Sequence, residues 1–595
     1  MQYVLLTYFV FLGLTAFTSR FVINKFRGEH PVSLILAMII LYLFGCVQLL
    51  GVGVKVVLAC AAIGGIAGVW TLVRGGAERF SIARQAIELA VLFALALVLS
   101  WGSQYWVWDE FSHWGAEAEY LSLTNNLPTN KEVQVFPNYI PGISLLRYFG
   151  ESLLHGSGVA SAYFITWLLG LSTIYCVSNS ESRIKWAITT ITLFFAYLAF
   201  YQALTLTLLI DPLQSLLFLC ALRFAYKNDR DSFTIALLAV IAVVLLKHVG
   251  IILAVFACAY YVGMRMFADK LEIKTILPRS LGLLAVTLLT YLSWEWYVAI
   301  HDLTIKFEGM SVMLTGAGLL SNVSIGLHHV LGNLFPHSAF LPPAYPVEFL
   351  TPGIPLWMFI CITAAAALVL TYNRSSSQKE LALTFAFLLL TTVGYLLFLS
   401  YVAVASGWFN DHVSFSRYFI VTLFATFFLQ YFVARDGLSI LRCLLIAVIM
   451  IGAAYVSAPP LSSFFVQEKR PPVPLHEEYR LKAAPLLKYT TGTELIIYID
   501  GKDSSFGHFI FRLKTQPLRY LPYTRTWFMN QPTTDNAKNI DLFKRTLCQA
   551  DYVYADSPPE DFWKRNGEAF DIVGGHVYKV VRKDSKYCTA TLLEK

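Results

Sequence analysis

The stretch Trp101–Tyr148 reads WGSQYWVWDEFSHWGAEAEYLSLTNNLPTNKEVQVFPNYIPGISLLRY, and it lies between two apolar segments that are long enough to cross a bilayer. An acidic pair, Asp109 and Glu110, follows directly on the first of these segments. Four tryptophans surround the pair: Trp101, Trp106, Trp108 and Trp114. Aromatic belts mark a membrane–water interface, and ionisable groups at that depth are usually kept for a function. The alternative is that the two acids only cap the helix that follows them.

The composition of the whole chain is that of an integral membrane protein. Of its 595 residues, 57% are hydrophobic and 14% are charged, whereas soluble chains are about 45–50% apolar and about 25% charged. The formal net charge of +7 is explained by the placement of basic loops, not by nucleic-acid binding. The N-terminal sequence MQYVLLTYFVFLGLTAF has no basic start and no small-residue cleavage site, so it predicts a retained membrane helix.

Fourteen apolar segments are candidates to span the membrane, because a spanning helix needs about 20 apolar residues. They are 2–19, 31–51, 53–73, 86–106, 161–178, 186–207, 209–226, 233–246, 249–267, 280–299, 354–372, 380–404, 417–433 and 439–457. Lysine and arginine fall in every second loop, so the positive-inside rule turns the intervening loops outward. The large loops 107–160 and 300–353 and everything after 457 are then extracytoplasmic.

The composition changes after Ser457. A proline-rich linker leads to a polar region of about 120 residues, which is large enough for one small domain. Helix-like runs alternate there with short β-branched runs such as ELIIYID (494–500), which predicts a small α/β domain. Its two cysteines, Cys548 and Cys588, would form a disulfide in an oxidising compartment. We therefore expect three regions: N-terminal helices (1–85), a membrane catalytic core (86–457) and an extracytoplasmic α/β domain (458–595).

Ionisable residues concentrate at the predicted outer ends of the membrane segments. Asp109, Glu110 and Asp211 are candidates for a general base that deprotonates an acceptor hydroxyl or amine. Basic side chains at the same level offer charge-assisted hydrogen bonds to a lipid phosphate. The candidate substrate-binding residues are His113, Lys247, His248, Glu295, Arg417 and Tyr418. The structural alternatives are that Asp211 starts a helix, that Lys247 snorkels and that Arg417 pairs with Asp411.

A metal site is a further alternative in the first loop. On a helix that begins near Asp109, the side chains of Asp109, His113 and Glu117 share one face. These three residues would ligate a divalent cation if one were bound. Histidine more often serves as an ordinary hydrogen-bonding residue, so we predict no metal site.

The first loop resembles the first outer loop of GT-C glycosyltransferases. The match rests on an acidic pair after a span, an amphipathic helix (FSHWGAEAEYLSL), an Asn-Leu-Pro turn and a proline-led second helix (NYIPGISLLRYF). The most similar subgroup includes protein O-mannosyltransferases and lipid A aminoarabinose transferases. In two respects the chain departs from the family pattern: three spans precede the motif, and Ile140-Pro141-Gly142 replaces the usual Pro-Pro-Leu.

The resemblance implies a function and a donor. Asp109 would be the catalytic base, and Asp211 would be a second acid. The donor would be a polyprenyl-phosphate-linked sugar, and the transfer to an extracytoplasmic protein or glycan would be inverting. No cofactor would be required, since basic side chains offset the charge that develops on a monophosphate, whereas a diphosphate donor would favour a divalent cation.

We therefore expect a polytopic α-helical membrane glycosyltransferase of GT-C type in a bacterial inner membrane. Its active site would face the periplasm. The alternatives are a polytopic transporter or flippase and a polysaccharide polymerase for lipid-linked glycans. Transporters usually show internal repeats and charges near the membrane midplane, whereas in this sequence most ionisable residues cluster at one end of the spans and no repeat is visible.

Overall fold

The chain folds into two compact units in the computed structural model. The structure describes residues 2–23, 29–75, 78–105, 107, 109–134, 136–155, 159–201, 205, 207–304, 378–405, 412–435, 438–457, 473–500, 505–520, 547–557, 575–582 and 588–593. The first unit, here the helical unit, contains the described residues of Met1–Ser103, Ile140–Tyr297 and Lys306–Gln467. The second, here the loop–sheet unit, contains those of Gln104–Tyr139, Val298–Ile305 and Glu468–Lys595.

Helices dominate the first three quarters of the described chain. In chain order they are α1 (Gln2–Phe21), α2 (His30–Cys46), α3 (Leu50–Arg74), α4 (Glu78–Ser100), α5 (Gly115–Thr124), α6 (Gly142–Leu153), α7 (Val159–Val177), α8 (Arg183–Tyr201), α9 (Asp211–Tyr226), α10 (Arg230–Leu246), α11 (Gly250–Gly263), α12 (Ile273–Ile300), α13 (Gln378–Ala405), α14 (His412–Arg435) and α15 (Ile440–Ser457). All of these except α5 belong mainly to the helical unit.

Seven helices in the described part of the chain are long and apolar enough to cross a membrane. They are Gln2–Phe21, Leu50–Arg74, Arg79–Ser100, Val159–Val177, Arg183–Tyr201, Gly250–Ala268 and Ile273–Ile300. The chain is therefore a helical membrane protein. Each of the fourteen predicted segments coincides with a helix, except 354–372, which lies outside the described residues. That all of them span stays a prediction, because α2, α9 and α10 are only 17, 16 and 17 residues long.

Helix α9 forms the centre of the helical unit. Every residue from Asp211 to Ala225 is buried, and the helix packs against α7, α10, α11 and α14. A helix that is apolar on all sides is stable only when other elements surround it. Pro212 suits the second position of this helix, where a backbone N–H has no intrahelical acceptor. This arrangement places the carboxylate of Asp211 at the buried start of the central helix.

Helix α6 brings the second half of the first outer loop onto the helical unit. Pro141 precedes its first residue, and Gly142 lies against the end of α10. A Cβ atom at Gly142 would lie 2.5 Å from the carbonyl oxygen of Leu245. Glycine is therefore required for this close approach. The Ile140-Pro141-Gly142 turn thus has a packing role beside the residues that precede Lys247.

The loop–sheet unit combines the C-terminal region with part of the first outer loop. Its C-terminal elements are α16 (Val473–Leu487), β1 (Leu495–Asp500), α17 (Ser505–Lys514), β2 (Arg519–Tyr520), β3 (Tyr552–Ser557), β4 (His576–Arg582) and β5 (Cys588–Leu592). The strand order is β2-β1-β3-β4-β5, with β1 parallel to β2 and β3 and the remaining pairs antiparallel. Cys548 and Cys588 form a disulfide, with their Cα atoms 5.2 Å apart.

Successive side chains of β1 point to opposite faces of the sheet. Apolar side chains of this strand are buried on both faces. On one face, Ile497 packs in a hydrophobic core with Val553, Leu547 and Tyr578. On the other face, the ring of Tyr498 stacks on that of Phe511 with centroids 4.0 Å apart. Helix α17 therefore covers one side of the sheet.

The first outer loop is divided between the two units. Residues Gln104–Tyr139 belong to the loop–sheet unit, and α6 belongs to the helical unit. This division differs from the expected regions, which assigned the whole loop 107–160 to the membrane core. A π-helical turn (Glu110–Trp114) begins the segment and continues into α5, which ends at Asn125 in the left-handed conformation. Turns of the π type are rare and occur frequently at functional sites.

Candidate functional site

The loop–sheet unit buries four ionisable side chains on the π-turn, on the residue before it and on α5. They are Asp109, Glu110, His113 and Glu117. The helical spacing that predicted one shared face for positions 109, 113 and 117 assumed a regular α-helix. The π-turn changes that spacing, because it has more residues per turn. No group of three or more His, Cys, Asp or Glu among the described residues is arranged to hold a metal ion.

Asp109 lies immediately before the π-turn, and its side chain makes no capping hydrogen bond. Its backbone is helical (φ −64°, ψ −27°), whereas an N-cap residue usually has extended angles. This geometry does not support the alternative that Asp109 only caps the helix that follows it. The side chain is only 7% exposed. Burying a carboxylate is costly, so its position within the turn needs strong support from the surrounding chain.

Glu110 supplies part of that support. Its Oε2 atom accepts a hydrogen bond from the backbone N–H of Val107 at 3.0 Å. Its own backbone N–H donates to the carbonyl oxygen of Val107, also at 3.0 Å. The side chain is fully buried. Glu110, which the sequence suggested as a catalytic acid, thus closes the backbone turn that presents Asp109.

His113 lies among aromatic rings. It stacks on Tyr139 with ring centroids 4.9 Å apart, and Trp114 and Phe136 contact it edge to face. The Ser112 hydroxyl lies 2.6 Å from its Nδ1 atom. Phe136 and Tyr139 were not predicted as site residues, although both lie near the end of the segment Gln104–Tyr139. His113 therefore ties the start of the segment to its end.

The tryptophans around the acidic pair do not share one environment. Trp114 is buried in the loop–sheet unit, and Trp101 is exposed. Trp106 and Trp108 lie outside the described residues. Burial of Trp114 inside its own unit differs from the expected position in an interfacial belt, and the belt stays a prediction for the other three tryptophans.

In the helical unit, Asp211 and Lys247 form a buried ion pair. The Lys247 Nζ atom lies 3.0 Å from the Asp211 Oδ1 atom. Asp211 is 1% exposed, and Lys247 is also buried. The pair joins the start of α9 to the residue that follows α10, two helices that pack against each other. Lys247 thus contacts one of the predicted acids, and this burial differs from the snorkelling alternative.

His248, which follows Lys247, also contacts an acidic side chain, but this pair is more exposed to solvent. The Nε2 atom of His248 lies 3.3 Å from the Oε1 atom of Glu295, with side chains 33% and 40% exposed. The ring of Tyr291, one helical turn before Glu295, contacts the His248 ring edge on. Two of the predicted basic residues are therefore each paired with a predicted acid.

The remaining predicted residues are described only in part. Arg417 and Tyr418 lie in α14, but their side chains, and all of Asp411, lie outside the described residues. Most of the predicted outer loop 300–353 also lies outside them.

The structure adds a buried arginine that the sequence analysis missed. Arg147 of α6 is fully buried; its Nε atom donates to the Thr166 hydroxyl at 3.1 Å, and its Nη2 atom donates to the Leu208 carbonyl oxygen at 2.8 Å. Thr166 also lines a cleft that is rich in hydroxyl groups. The residues around this cleft are Tyr163, Thr166, Trp167, Tyr197, Thr205, Thr207, Leu209 and Pro212. Nothing in the sequence distinguishes Arg147 from an ordinary polar position, because Ser144 and Glu151 lie one helical turn away from it.

No protein-family model and no curated protein matches this chain.

Proposed function

We propose that this protein is a membrane glycosyltransferase of GT-C type with Asp109 as its base. It would transfer a sugar, with inversion, from a polyprenyl-phosphate-linked donor to an extracytoplasmic protein or glycan. The observation that carries the proposal is the setting of Asp109. It is a buried carboxylate at the start of a π-turn, it does not cap that turn, and its neighbour Glu110 fixes the backbone around it.

The chemistry needs a base on the acceptor and positive charge on the leaving group. The acceptor hydroxyl or amine attacks the anomeric carbon from the face opposite the phosphate, and Asp109 takes its proton. The bond between the anomeric carbon and the phosphate oxygen breaks, and the electron pair leaves with the polyprenyl phosphate. Correctly placed general bases contribute about 10²- to 10⁴-fold to such rates.

Lys247 is our candidate for stabilising the leaving phosphate. The Lys247 ammonium donates a hydrogen bond to Asp211 in the buried pair, so its positive charge is held in a fixed position. A donor that is already oriented by an ion pair stabilises developing charge without reorganisation. In this proposal Asp211 orients Lys247. His248, Glu295, Arg417 and Tyr418 remain candidate substrate-binding residues, and the reaction requires no cofactor.

The proposed location is the bacterial inner membrane, with fourteen spans and a periplasmic C-terminal α/β domain. The Cys548–Cys588 disulfide supports the extracytoplasmic side for that domain, because disulfides persist in oxidising compartments. The apolar helices support insertion in a membrane.

The decisive experiment measures sugar transfer in vesicles that contain the purified full-length protein. Labelled polyprenyl-phosphate sugars are supplied as donors, and wild type is compared with Asp109→Asn. The matched control is Glu119→Gln, which removes an acid from the same segment at a less buried position. We expect Asp109→Asn to lose at least about 10²-fold in rate and the control to keep the wild-type rate. An Asp109→Asn protein that folds, inserts and transfers sugar normally rules out this function.

A lipid transporter is the second candidate. The buried Asp211–Lys247 pair favours it, because ionisable groups inside a membrane bundle often mark a substrate pathway. Transbilayer movement of the lipid-linked sugar without sugar transfer, measured in the same vesicles, would support this alternative.

A further inference from the structure

We propose that C-terminal elements of the loop–sheet unit hold residues 104–139, here the Asp109 segment, in place, with Arg512 and Gln516 as positioning residues. The catalytic consequence of this inference rests on the proposed function. The anchoring itself does not, since it concerns contacts within the loop–sheet unit. It gives the C-terminal region a role in the reaction that differs from binding an acceptor.

The first anchor lies at the edge of the sheet. Strand β2 is the edge strand, and the backbone N–H of Tyr520 donates to the carbonyl oxygen of Glu132 at 2.9 Å. Arg512 donates to the same oxygen from its Nη2 atom at 3.0 Å. The Glu132 carboxylate lies 3.4 Å from Nη1 of Arg519. The outer-loop segment thus satisfies backbone and side-chain donors that an open sheet edge would expose.

The guanidinium of Arg512 is itself held by this edge. Its Cζ atom lies 4.9 Å from the centroid of the Tyr520 ring, which is buried. Cation–π contacts of this kind restrict a long side chain that would otherwise be mobile. Arg512 is therefore pre-oriented towards the Glu132 carbonyl group.

The second anchor lies close to the proposed base. The Nε2 atom of Gln516 donates to the carbonyl oxygen of Ala116 at 3.0 Å. Ala116 lies in the first turn of α5, directly after the π-turn, and α17 packs against that turn. The two anchors contact the segment on both sides of the α5 C-terminus, so α5 cannot shift without breaking one of them.

Contacts within the Asp109 segment fix the conformation of its π-turn. Hydrogen bonds from the C-terminal elements fix the position of the segment in the loop–sheet unit. Glu110 closes the turn onto Val107, and a Cβ atom at Gly115 would lie 2.6 Å from the Tyr105 ring. These contacts keep the turn rigid but do not tie it to the C-terminal region. The bonds from Arg512, Gln516 and Tyr520 do so. A displacement of a reacting group by about 1 Å can cost about 10²-fold in rate.

The test uses the full-length protein with two disruptive substitutions and one conservative substitution. Gln516→Glu keeps the size of the side chain but points a carboxylate at the Ala116 carbonyl oxygen. Arg512→Ala removes the donor to Glu132, and Arg512→Lys restores one donor. The matched control is Arg480→Gln, in α16, whose side chain is exposed and forms a local ion pair with Glu477.

The first measurement is hydrogen exchange of the backbone amides of residues 109–124. We expect exchange to accelerate at least about tenfold in Gln516→Glu and in Arg512→Ala, because local opening becomes easier when anchoring bonds are lost. Residues 159–177 of α7 and the Arg480→Gln protein should exchange as in wild type. Unchanged exchange in residues 109–124 in both variants overturns the anchoring.

The second measurement is the kinetics of sugar transfer in vesicles. We expect kcat to fall about 10- to 100-fold in both variants, with KM for the lipid donor within about twofold of wild type and partial recovery in Arg512→Lys. Faster exchange with an unchanged kcat overturns the positioning role. If Asp109→Asn keeps full activity, the proposed function fails by itself, and the exchange experiment still decides on the anchoring.

Discussion

Asp109 and Asp211 occupy similar sequence positions but have different environments. Each is a buried aspartate at the start of a helical turn that follows an apolar segment. Asp211 lies within the helical unit and is held by an ion pair with Lys247. Asp109 lies in a segment whose backbone is fixed by Glu110 and by a hydrogen bond from Gln516, in the turn between α17 and β2. The ion pair suits Asp211 to orienting the Lys247 ammonium. The rigid turn suits Asp109 to accepting a proton.

Burial alone therefore does not identify a catalytic acid. The surroundings of each group decide what its removal would do. Substituting Asp211 leaves a buried ammonium ion without its carboxylate, so stability should suffer first. Substituting Asp109 should instead affect the reaction first, since the turn is closed by Glu110 and not by Asp109.

The largest expected effect separates the two aspartates directly. Asp109→Asn should lower sugar transfer about 10²- to 10⁴-fold and leave thermal stability unchanged. Asp211→Asn should lower stability strongly. Transfer rates in vesicles and melting temperatures in detergent measure both effects. Equal losses of stability in the two variants would remove the distinction between these sites.

The second-largest effect is expected at the buried Asp211–Lys247 ion pair. Lys247→Met removes one partner and leaves Asp211 buried, which costs about 3–5 kcal/mol of stability. The double variant Asp211→Asn with Lys247→Met should recover much of that loss, because a neutral pair needs no counterion. A double-mutant cycle of unfolding free energies checks this. Additive losses would contradict the ion pair.

The disulfide should affect only the unit that carries Asp109. Replacing Cys548 and Cys588 by serine opens a bridge between residues 40 positions apart, and such bridges contribute about 2–4 kcal/mol. The loop–sheet unit should become sensitive to protease. Cys60→Ser, at a free cysteine in α3, is the control. Equal protease resistance of the double variant and wild type would contradict this prediction.

A smaller effect is expected at the neighbouring open pair. His248→Gln breaks the contact with Glu295, whose side chain is 40% exposed. Exposed pairs contribute about 0–1 kcal/mol, so the melting temperature should change far less than in Lys247→Met. A loss as large as that of Lys247→Met would mean that burial does not distinguish the two pairs.

The smallest effect is the pH dependence of the loop–sheet unit. Partial burial raises the pKa of Glu494, but hydrogen bonds from the Thr491 hydroxyl and from the backbone N–H groups of Thr491 and Gly492 outweigh it and lower the pKa from 4.5 to about 2. Because the folded pKa lies below the unfolded one, this stabilisation is complete above pH 4.5 and is lost as the pH falls towards 2. Glu494→Gln should reduce the change of the melting temperature with pH between pH 4.5 and about pH 2. If the melting temperature of Glu494→Gln changes with pH as much as that of wild type, Glu494 is not the source of the pH dependence.

Much of the helical architecture could be predicted from the sequence. The positions of α1, α3, α7 and α12 follow from apolar runs of sufficient length, because a bilayer requires such runs. Asp109, Glu110 and Asp211 could be selected because charges beside apolar segments are costly. Arg147 was missed, since nothing in its own helix reveals that α7 and the residues before α9 would surround it.

The sequence by itself determined that this is a helical membrane protein and that its acidic residues lie next to apolar segments. Both follow from local composition, because hydrophobic transfer depends mainly on the residues of one segment. Only the tertiary structure decided that Lys247 pairs with Asp211, that Glu110 closes a turn and that Gln516 binds Ala116. The last contact joins residues 400 positions apart. Such contacts depend on how distant segments pack, which no local pattern specifies.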